Sequence, residues 1–380
     1  MNISTIMTTT LVWLGLTANA MAQPVLEQIG PALDHPWGMD FISDDELLVT
    51  ERSGGMLRIN LETGAHQRIG NLPPVAAYQQ GGMLDVQVDQ TRADPRTIYF
   101  CYAQPLASGT VTTIARATLD ADRLSGMTVI FAANNPRPQG YHYGCRLRFS
   151  GGYLFASLGD RGQRHNAQNP SIHDGSILRL NLDGTAPADN PRRPDWAPEI
   201  YSIGHRNPQG MAVHPETGAI WTHEHGPRGG DEINIITAGG NYGWPVVSHG
   251  TEYRNGEPVS AYKTKPGYED PSWVWFPSIA PSGMAFYPAR NGKVMFPELA
   301  GGVLVGSLKF QRLYHVALAA EGGPASEQIA SEQIASEQIV VDQTLGRVRD
   351  VKVAADGAIL ILNDANPDSD PVGGLFRLSQ

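Results

Sequence analysis

The sequence predicts an all-β protein, a six-bladed β-propeller closed by its N- and C-terminal strands. Three observations carry this. A unit of turn, short alternating strand, polar turn and apolar strand with a polar tip recurs six times. With 42 glycines and 28 prolines, turn residues run through the whole chain, and no convincing helix separates the repeats. The last segment, "GGLFRLSQ", runs out one strand short of a blade, and closing a ring protects strand edges.

Taken in order, residues 1–22 read as a cleaved secretory signal. An apolar stretch from Leu11 to Leu16 is followed by small-residue sites at Ala18-Asn19-Ala20 and Ala20-Met21-Ala22. The n-region lacks Lys and Arg. Residues 23–380 form the propeller, expected to be exported to the periplasm, and "PVLEQIG" near its start is the candidate for the missing fourth strand of the last blade. The repeats are "WGMDFISDDELLVTERSG", "GGMLDVQVDQTRADPRTIYFCYAQ", "GCRLRFSGGYLFASLGDRG", "PQGMAVHPETGAIWTHEHGP", "SGMAFYPARNGKVMFPELAGG" and "VRDVKVAADGAILILNDANP". Their anchors are Gly38, Gly82, Gly144, Gly210, Gly283 and Arg349, spaced from 44 residues (Gly38 to Gly82) to 73 (Gly210 to Gly283). Third strands open with Gly in "GGMLRINL" and "GSILRLNL". The competing arrangement is an open pair of β-sandwiches. Between the fifth and sixth copies "ASEQI" occurs three times, over 325–339, and reads as a surface loop or short helix.

A net charge of −10 argues against nucleic acid, whose phosphates need a basic face. After the leader nothing approaches the apolar length of a membrane span. Two cysteines, Cys101 and Cys145, are too few for a disulfide framework. They read first as small buried hydrophobes, with a single disulfide as the other possibility.

In a propeller, corresponding positions of all blades meet on one face around the channel. The polar tips there are Gln80, His142, Asp160, Arg206, Asn207, Lys309, Arg347 and Arg349. They comprise one potential base, one carboxylate, two amides and four cations in an acidic protein. That set suits a ligand with several carboxylates or phosphates. A second cluster, "HEHGPRGGDEINIITAGGNYGWP", joins a Gly226-Pro227 turn with Asp231, Glu232 and Tyr242. Carboxylates mixed with carbonyls and no Cys is a hard-cation pattern, favouring Ca²⁺ over Zn²⁺. His223 and His225 share a strand face, but no third ligand for a transition metal stands near them. In "GYHYGCRLRF", His142 and Cys145 lack the oxyanion hole and orienting partner a thiol nucleophile needs.

The strings "YHYGCRL…SLGDRG", "GHRNPQG", "HGPRGGDEINIITAGGNYGWP", "SIAPSGMAFY", "GSLKFQRLY" and "GRVRDVKVAADG" resemble the soluble PQQ-dependent sugar dehydrogenases, the aldose sugar dehydrogenase branch above all. The likeness spans nearly all of the mature chain. It implies a six-bladed propeller that uses PQQ and Ca²⁺ to oxidise aldoses at C1 to the lactone. It implies His142 as general base, Asp160 as its orienting partner, and Arg206 and Asn207 as contacts of quinone and substrate. Gln80 would lie near the reacting centre and Tyr253 along the cofactor edge. Lys309, Arg347 and Arg349, with Leu308 and Val348 beside them, would hold the cofactor. Gly226 and Pro227 would give carbonyls to one Ca²⁺, and Glu232 and the Tyr242 carbonyl would hold a second. An unidentified electron acceptor, a cytochrome or a quinone, is implied as partner, in a monomer or weak dimer. Phe276 stands near the place of a tryptophan that covers the sugar in the glucose enzyme, and the "ASEQI" repeat lies between Lys309 and Arg347. The rival functions are a Ca²⁺-dependent lactonase-type propeller and a non-catalytic sugar- or protein-binding propeller, since propellers host many functions.

Overall fold

The computed structural model describes residues 24–91, 96–191, 193–289, 293–318, 334–364 and 372–380. The leader expected at 1–22 and most of the first two "ASEQI" copies lie outside them. Six four-stranded antiparallel sheets are arranged as the blades of a propeller. Strand β1 (Val25–Asp34) comes first in the chain but serves the last blade. Blade one is β2 (Pro36–Ser43), β3 (Glu46–Glu51), β4 (Gly55–Asn60) and β5 (His66–Arg68). Blade two is β6 (Met83–Val88), β7 (Thr97–Leu106), β8 (Gly109–Leu119) and β9 (Leu124–Ala132). Blade three is β10 (Leu147–Ser150), β11 (Tyr153–Leu158), β12 (Ser176–Leu180) and β13 (Ile200–Ile203). Blade four is β14 (Pro208–Val213), β15 (Ile220–Glu224), β16 (Asp231–Ile236) and β17 (Trp273–Trp275). Blade five is β18 (Pro281–Phe286), β19 (Val303–Ser307), β20 (Arg312–Leu318) and β21 (Ile334–Asp342). Blade six is β22 (Arg347–Val353), β23 (Ile359–Asp364) and β24 (Val372–Ser379), completed by β1.

The closure runs through the expected segment. Val25 pairs with Ser379 and Ile29 with Leu375, so the "PVLEQIG" stretch is the outer strand of blade six. The outer strand of blade five corrects the sequence reading. The third "ASEQI" copy lies in β21, pairing Ile339 with Tyr314 and Glu337 with Val316. An outermost strand covers only one neighbour, so small and polar residues suffice there and composition alone read it as a loop.

The apolar core is divided among the blade interfaces. Phe100 and Met83 pack against Met56 and Leu48 between blades one and two, and Val351 and Ile361 against Leu304 and Leu313 between blades five and six. The innermost strands carry a second feature that places the site. In β2, β6, β14, β18 and β22 the register slips near the strand start, between Pro36 and Met39, Met83 and Val86, Pro208 and Gly210, Pro281 and Met284, and Val348 and Asp350. A bulge leaves a residue unpaired and re-aims its side chain. Trp37, Leu84, Gln209 and Arg349 fall in four of these slips, and all four line one cleft.

Below that cleft the channel is closed by charge. Arg146 is fully buried, pairs with Asp85 at 3.3 Å and Asp350 at 3.2 Å, and lies 4.2 Å over the Trp37 ring. It donates to the carbonyls of Gln209 at 2.7 Å and Arg349 at 3.2 Å. One side chain thereby ties five blades across the axis. Among the described residues no helix is long and apolar enough to cross a membrane.

Candidate active site

The cleft holds about 610 Å³ at the face where the innermost strands begin. Gln80, Asn207, Leu308, Lys309, Arg347 and Arg349 line it. The unpaired bulge position aims Arg349 into it. Strand alternation turns Val348 away, into the apolar core shared by blades five and six, and its carbonyl accepts Ser282 Oγ at 2.6 Å. Val348 is therefore no part of the cleft wall, against the sequence expectation.

The cleft is more cationic than its tips suggested. Arg52, at the end of blade one's second strand, joins Lys309, Arg347 and Arg349 on its wall. Asp364 is the carboxylate there, 3.2 Å from Arg349 and 2.8 Å from His35 Nδ1. Burial pushes Arg349 down to about 10. The Nε atoms of Arg347 and Arg349 are buried with no hydrogen-bond partner among the described residues. Buried donors of this kind call for an acceptor, and a planar group with several carboxylates supplies them bidentately. PQQ fits this cleft by charge, by donor set and by the surrounding apolar surface of Trp37 and Leu84.

His142 stands beside the cleft, between wall residues Gln80 and Tyr143. Its Nδ1 lies 2.6 Å from Asp160 Oδ1, and its backbone N–H donates to Gln80 Oε1 at 2.8 Å. Asp160 is fixed in turn, accepting Gly162 N–H at 2.8 Å and, on Oδ2, the Trp244 indole N–H at 2.8 Å. Burial raises the Asp160 carboxyl, but the His142 hydrogen bond and charge, with Arg206, outweigh it and hold the acid below its usual range. An ionised Asp160 accepts the Nδ1 proton and leaves Nε2 as the free lone pair. Burial and the Arg206 charge lower the His142 pKa against the opposing pull of Asp160, keeping the ring neutral near pH 7.

Arg206 lies in a neighbouring niche with Glu224, Gly226, Glu232, Tyr242 and Trp244. Its Nη1 donates to the carbonyls of His225 at 3.0 Å and Gly226 at 2.9 Å, and Tyr253 Oη donates to the Pro227 carbonyl at 2.6 Å. The Gly226 and Pro227 carbonyls thus meet site side chains instead of ladder N–H groups. Tyr253 itself is 66% exposed and does not line the large cleft. Asp231 is consumed by the Gly226, Ile279 and Ala280 N–H groups and by Ser278 Oγ. Glu232, on the other side of the same strand, has among the described residues only the Asn234 amide as side-chain partner, at 3.5 Å. Burial and the nearby Glu224 raise its carboxyl well above the usual range. An under-partnered carboxylate beside a second one fits a hard cation. Among the described residues no three His, Cys, Asp or Glu side chains surround one point, so a cation here would rest chiefly on carbonyls.

His223 and His225 form no metal pair. Their Nε2 atoms face the carbonyls of Gly283 at 3.4 Å and Pro281 at 2.7 Å, and burial pushes each ring down to about 3. The cysteines depart from the preferred sequence reading, because Cys101 and Cys145 form a disulfide. It joins β7 of blade two to the segment three residues after His142, and both residues are buried between blades two and three.

Sequence reasoning missed Trp37, Arg52, Tyr143, Gln209 and His225 in the cleft wall and Trp244 behind Asp160. A signal for two existed. Arg52 in "VTERSG" and His225 in "THEHGP" end second strands just as Asp160 follows β11 in "SLGDRG".

A model of glucose/sorbosone dehydrogenases matches residues 33–371. The chain belongs to this family. Among glucose/sorbosone dehydrogenase relatives, aldose sugar dehydrogenase YliI of Escherichia coli is 35% identical over 89% of this chain and 90% of its own. The crystal structure of the soluble aldose sugar dehydrogenase from Escherichia coli in the apo-form is 32% identical, with a TM-score of 0.84 over 94% of this chain and 99% of that one. The PQQ-bound form of aldose sugar dehydrogenase from Streptomyces coelicolor is 25% identical, with a TM-score of 0.74 over 94% and 98% of the two chains.

Proposed function

We propose that this glucose/sorbosone dehydrogenase oxidises aldose sugars at C1 to the lactone, with PQQ and Ca²⁺ as cofactors and His142 as general base. The observation that carries this is the 2.6 Å contact of Asp160 with His142 Nδ1 beside a cleft lined by cations. Two relatives, the aldose sugar dehydrogenase of Escherichia coli and the PQQ-bound aldose sugar dehydrogenase of Streptomyces coelicolor, support the substrate class and the cofactor.

Lys309, Arg347, Arg349 and Arg52 would hold the cofactor carboxylates, with Gln80, Asn207 and Leu308 completing the wall. Gly226 and Pro227 would offer carbonyls to one Ca²⁺, and Glu232 with the Tyr242 carbonyl to a second. PQQ supplies, when bound, an ortho-quinone that accepts hydride, and Ca²⁺ supplies a Lewis acid for the developing oxyanion. The protein's own share is proton removal and positioning. His142 Nε2, neutral at working pH, takes the anomeric hydroxyl proton, a role worth roughly 10²–10⁴ in rate. Asp160 stabilises the imidazolium that results. The Arg206 guanidinium favours negative charge on the reacting oxygen. Gln80 spends its carbonyl on the His142 backbone, so it sets the base's height in the site. We also assign residues 1–22 to an export signal, which would place the enzyme in the periplasm as a monomer or weak dimer, passing electrons to a cytochrome or quinone.

The test is to add PQQ and Ca²⁺ to purified apo-protein, then an aldose, and follow the PQQ spectrum with reduction of an artificial dye. Sugar-dependent dye reduction supports the reading. Failure to bind PQQ overturns it and favours a lactonase or binding propeller.

A further inference from the structure

We propose that Arg161 is a positioning residue for the base, clamping the backbone of the Gln139–His142 segment from the side opposite Gln80. This rests on His142 being the base of the reaction proposed above.

His142 sits at φ +47°, a left-handed conformation that a non-glycine residue holds only when its surroundings impose it. Two sets of hydrogen bonds do so. From blade two, the Gln80 N–H donates to the Gly140 carbonyl at 2.9 Å, Gln79 Oε1 accepts the Gly140 N–H at 2.9 Å, and Gln80 Oε1 accepts the His142 N–H at 2.8 Å. From blade three, Arg161 takes two further carbonyls of the segment. Its Nε donates to Tyr141 O at 2.8 Å and its Nη2 to Gln139 O at 2.7 Å. The same guanidinium anchors itself on β8 through Thr110 O at 3.1 Å and Thr110 Oγ1 at 3.0 Å. It lies flat, 3.8 Å over the Tyr143 ring.

Arg161 is 2% exposed and does not line the cleft. Burying a guanidinium is costly, and burial lowers its pKa. Its donors are directed at carbonyls of the segment that carries the base and at the strand beside it. It follows Asp160 directly, so consecutive residues hold the imidazole ring and the backbone beneath it. A planar fork with five donors does this; the single ammonium of Lys reaches fewer acceptors.

The experiment compares the PQQ- and Ca²⁺-loaded wild type with Arg161→Gln and Arg161→Lys. Arg179→Lys serves as control, a buried arginine that holds Asn190 and Asp189 away from the site. The charged and titratable groups around His142 are Asp160, Arg206, Arg161 and His225. We expect PQQ affinity and KM to stay within about twofold, because Arg161 does not itself line the cleft, while kcat falls roughly 10- to 100-fold in Arg161→Gln, the scale of a displaced catalytic group. Arg161→Lys should recover part of the loss. The acid limb of the kcat profile should move to higher pH in Arg161→Gln, as a cation that opposes protonation of His142 is removed. Amide exchange at Gly140 and His142 should accelerate, and this readout needs no turnover. If the wild type binds PQQ yet oxidises no aldose, the functional reading fails while amide exchange still decides the clamp. Unchanged exchange at both amides, or a kcat loss matched by Arg179→Lys at equal loss of Tm, would overturn the proposal.

Discussion

Asp160 links His142 to Trp244, accepting His142 Nδ1–H on one oxygen at 2.6 Å and the Trp244 indole N–H on the other at 2.8 Å. Two donors from different blades therefore fix one carboxylate, and it fixes the tautomer of the imidazole. Asp160→Asn keeps the shape but can present an amide N–H to Nδ1, which drives the ring proton to Nε2 and removes the base. We predict a kcat loss of about 100-fold or more at saturating sugar, with PQQ affinity unchanged because Asp160 lies outside the cleft wall. Steady-state kinetics beside a PQQ titration check this.

The pH dependence follows from the lowered His142 pKa. A base works in its neutral form, so kcat/KM rises with pH through the His142 pKa and is flat above it. With that pKa below its ordinary value of 6.5, the midpoint of the acid limb should lie below pH 6.5. Replacing Glu252, whose pairing with Arg164 at 2.6 Å does not involve His142, should leave this limb in place. A profile in buffers of constant ionic strength measures it.

Arg349 is held by a bulge, pushed down to about 10, and carries a buried Nε with no hydrogen-bond partner among the described residues. Arg349→Ala should weaken PQQ binding by about 1.5–3 kcal/mol, roughly 10- to 150-fold, the worth of a charged hydrogen bond. At saturating PQQ the turnover should return close to wild type, because the base and its partner are untouched. Fluorescence titration with PQQ separates the two effects.

Arg146 neutralises Asp85 and Asp350 in the closed channel. Arg146→Met leaves Asp350 without its arginine and Asp85 with Arg148 alone, at 3.2 Å, and should cost about 3–5 kcal/mol in denaturant unfolding. Adding Asp350→Asn removes the stranded charge and should recover part of that loss. Equal stability of the single and double variants would show that the pairing is not what holds the axis.

Much of this was legible in the sequence because the repeat is periodic. Six copies, a last blade short of one strand, and tips such as Asp160 and Lys309 were read from alternation alone. What stayed hidden breaks the alternation. Gln209 and Trp37 look like ordinary residues of inner strands, and only the bulges after Pro208 and Pro36 lift them into the cleft. The family resemblance placed Val348 with its flanking arginines, whereas strand alternation turns it into the core. Cys101 and Cys145 lie in different blades, and their pairing depends on the packing of β7 against the His142 segment, which spacing does not encode. The "ASEQI" copies were judged by polarity, whereas β21 is held by its ladder to β20.

The most direct measurement is aldose-dependent reduction of an artificial acceptor by PQQ- and Ca²⁺-loaded protein, wild type against His142→Ala, with PQQ loading read from its absorbance. Full loading in both, turnover in the wild type, and a loss of about 10²–10⁴ in the variant are expected. Equal turnover in the two, or a wild type that loads PQQ and oxidises no aldose, would contradict the proposed function.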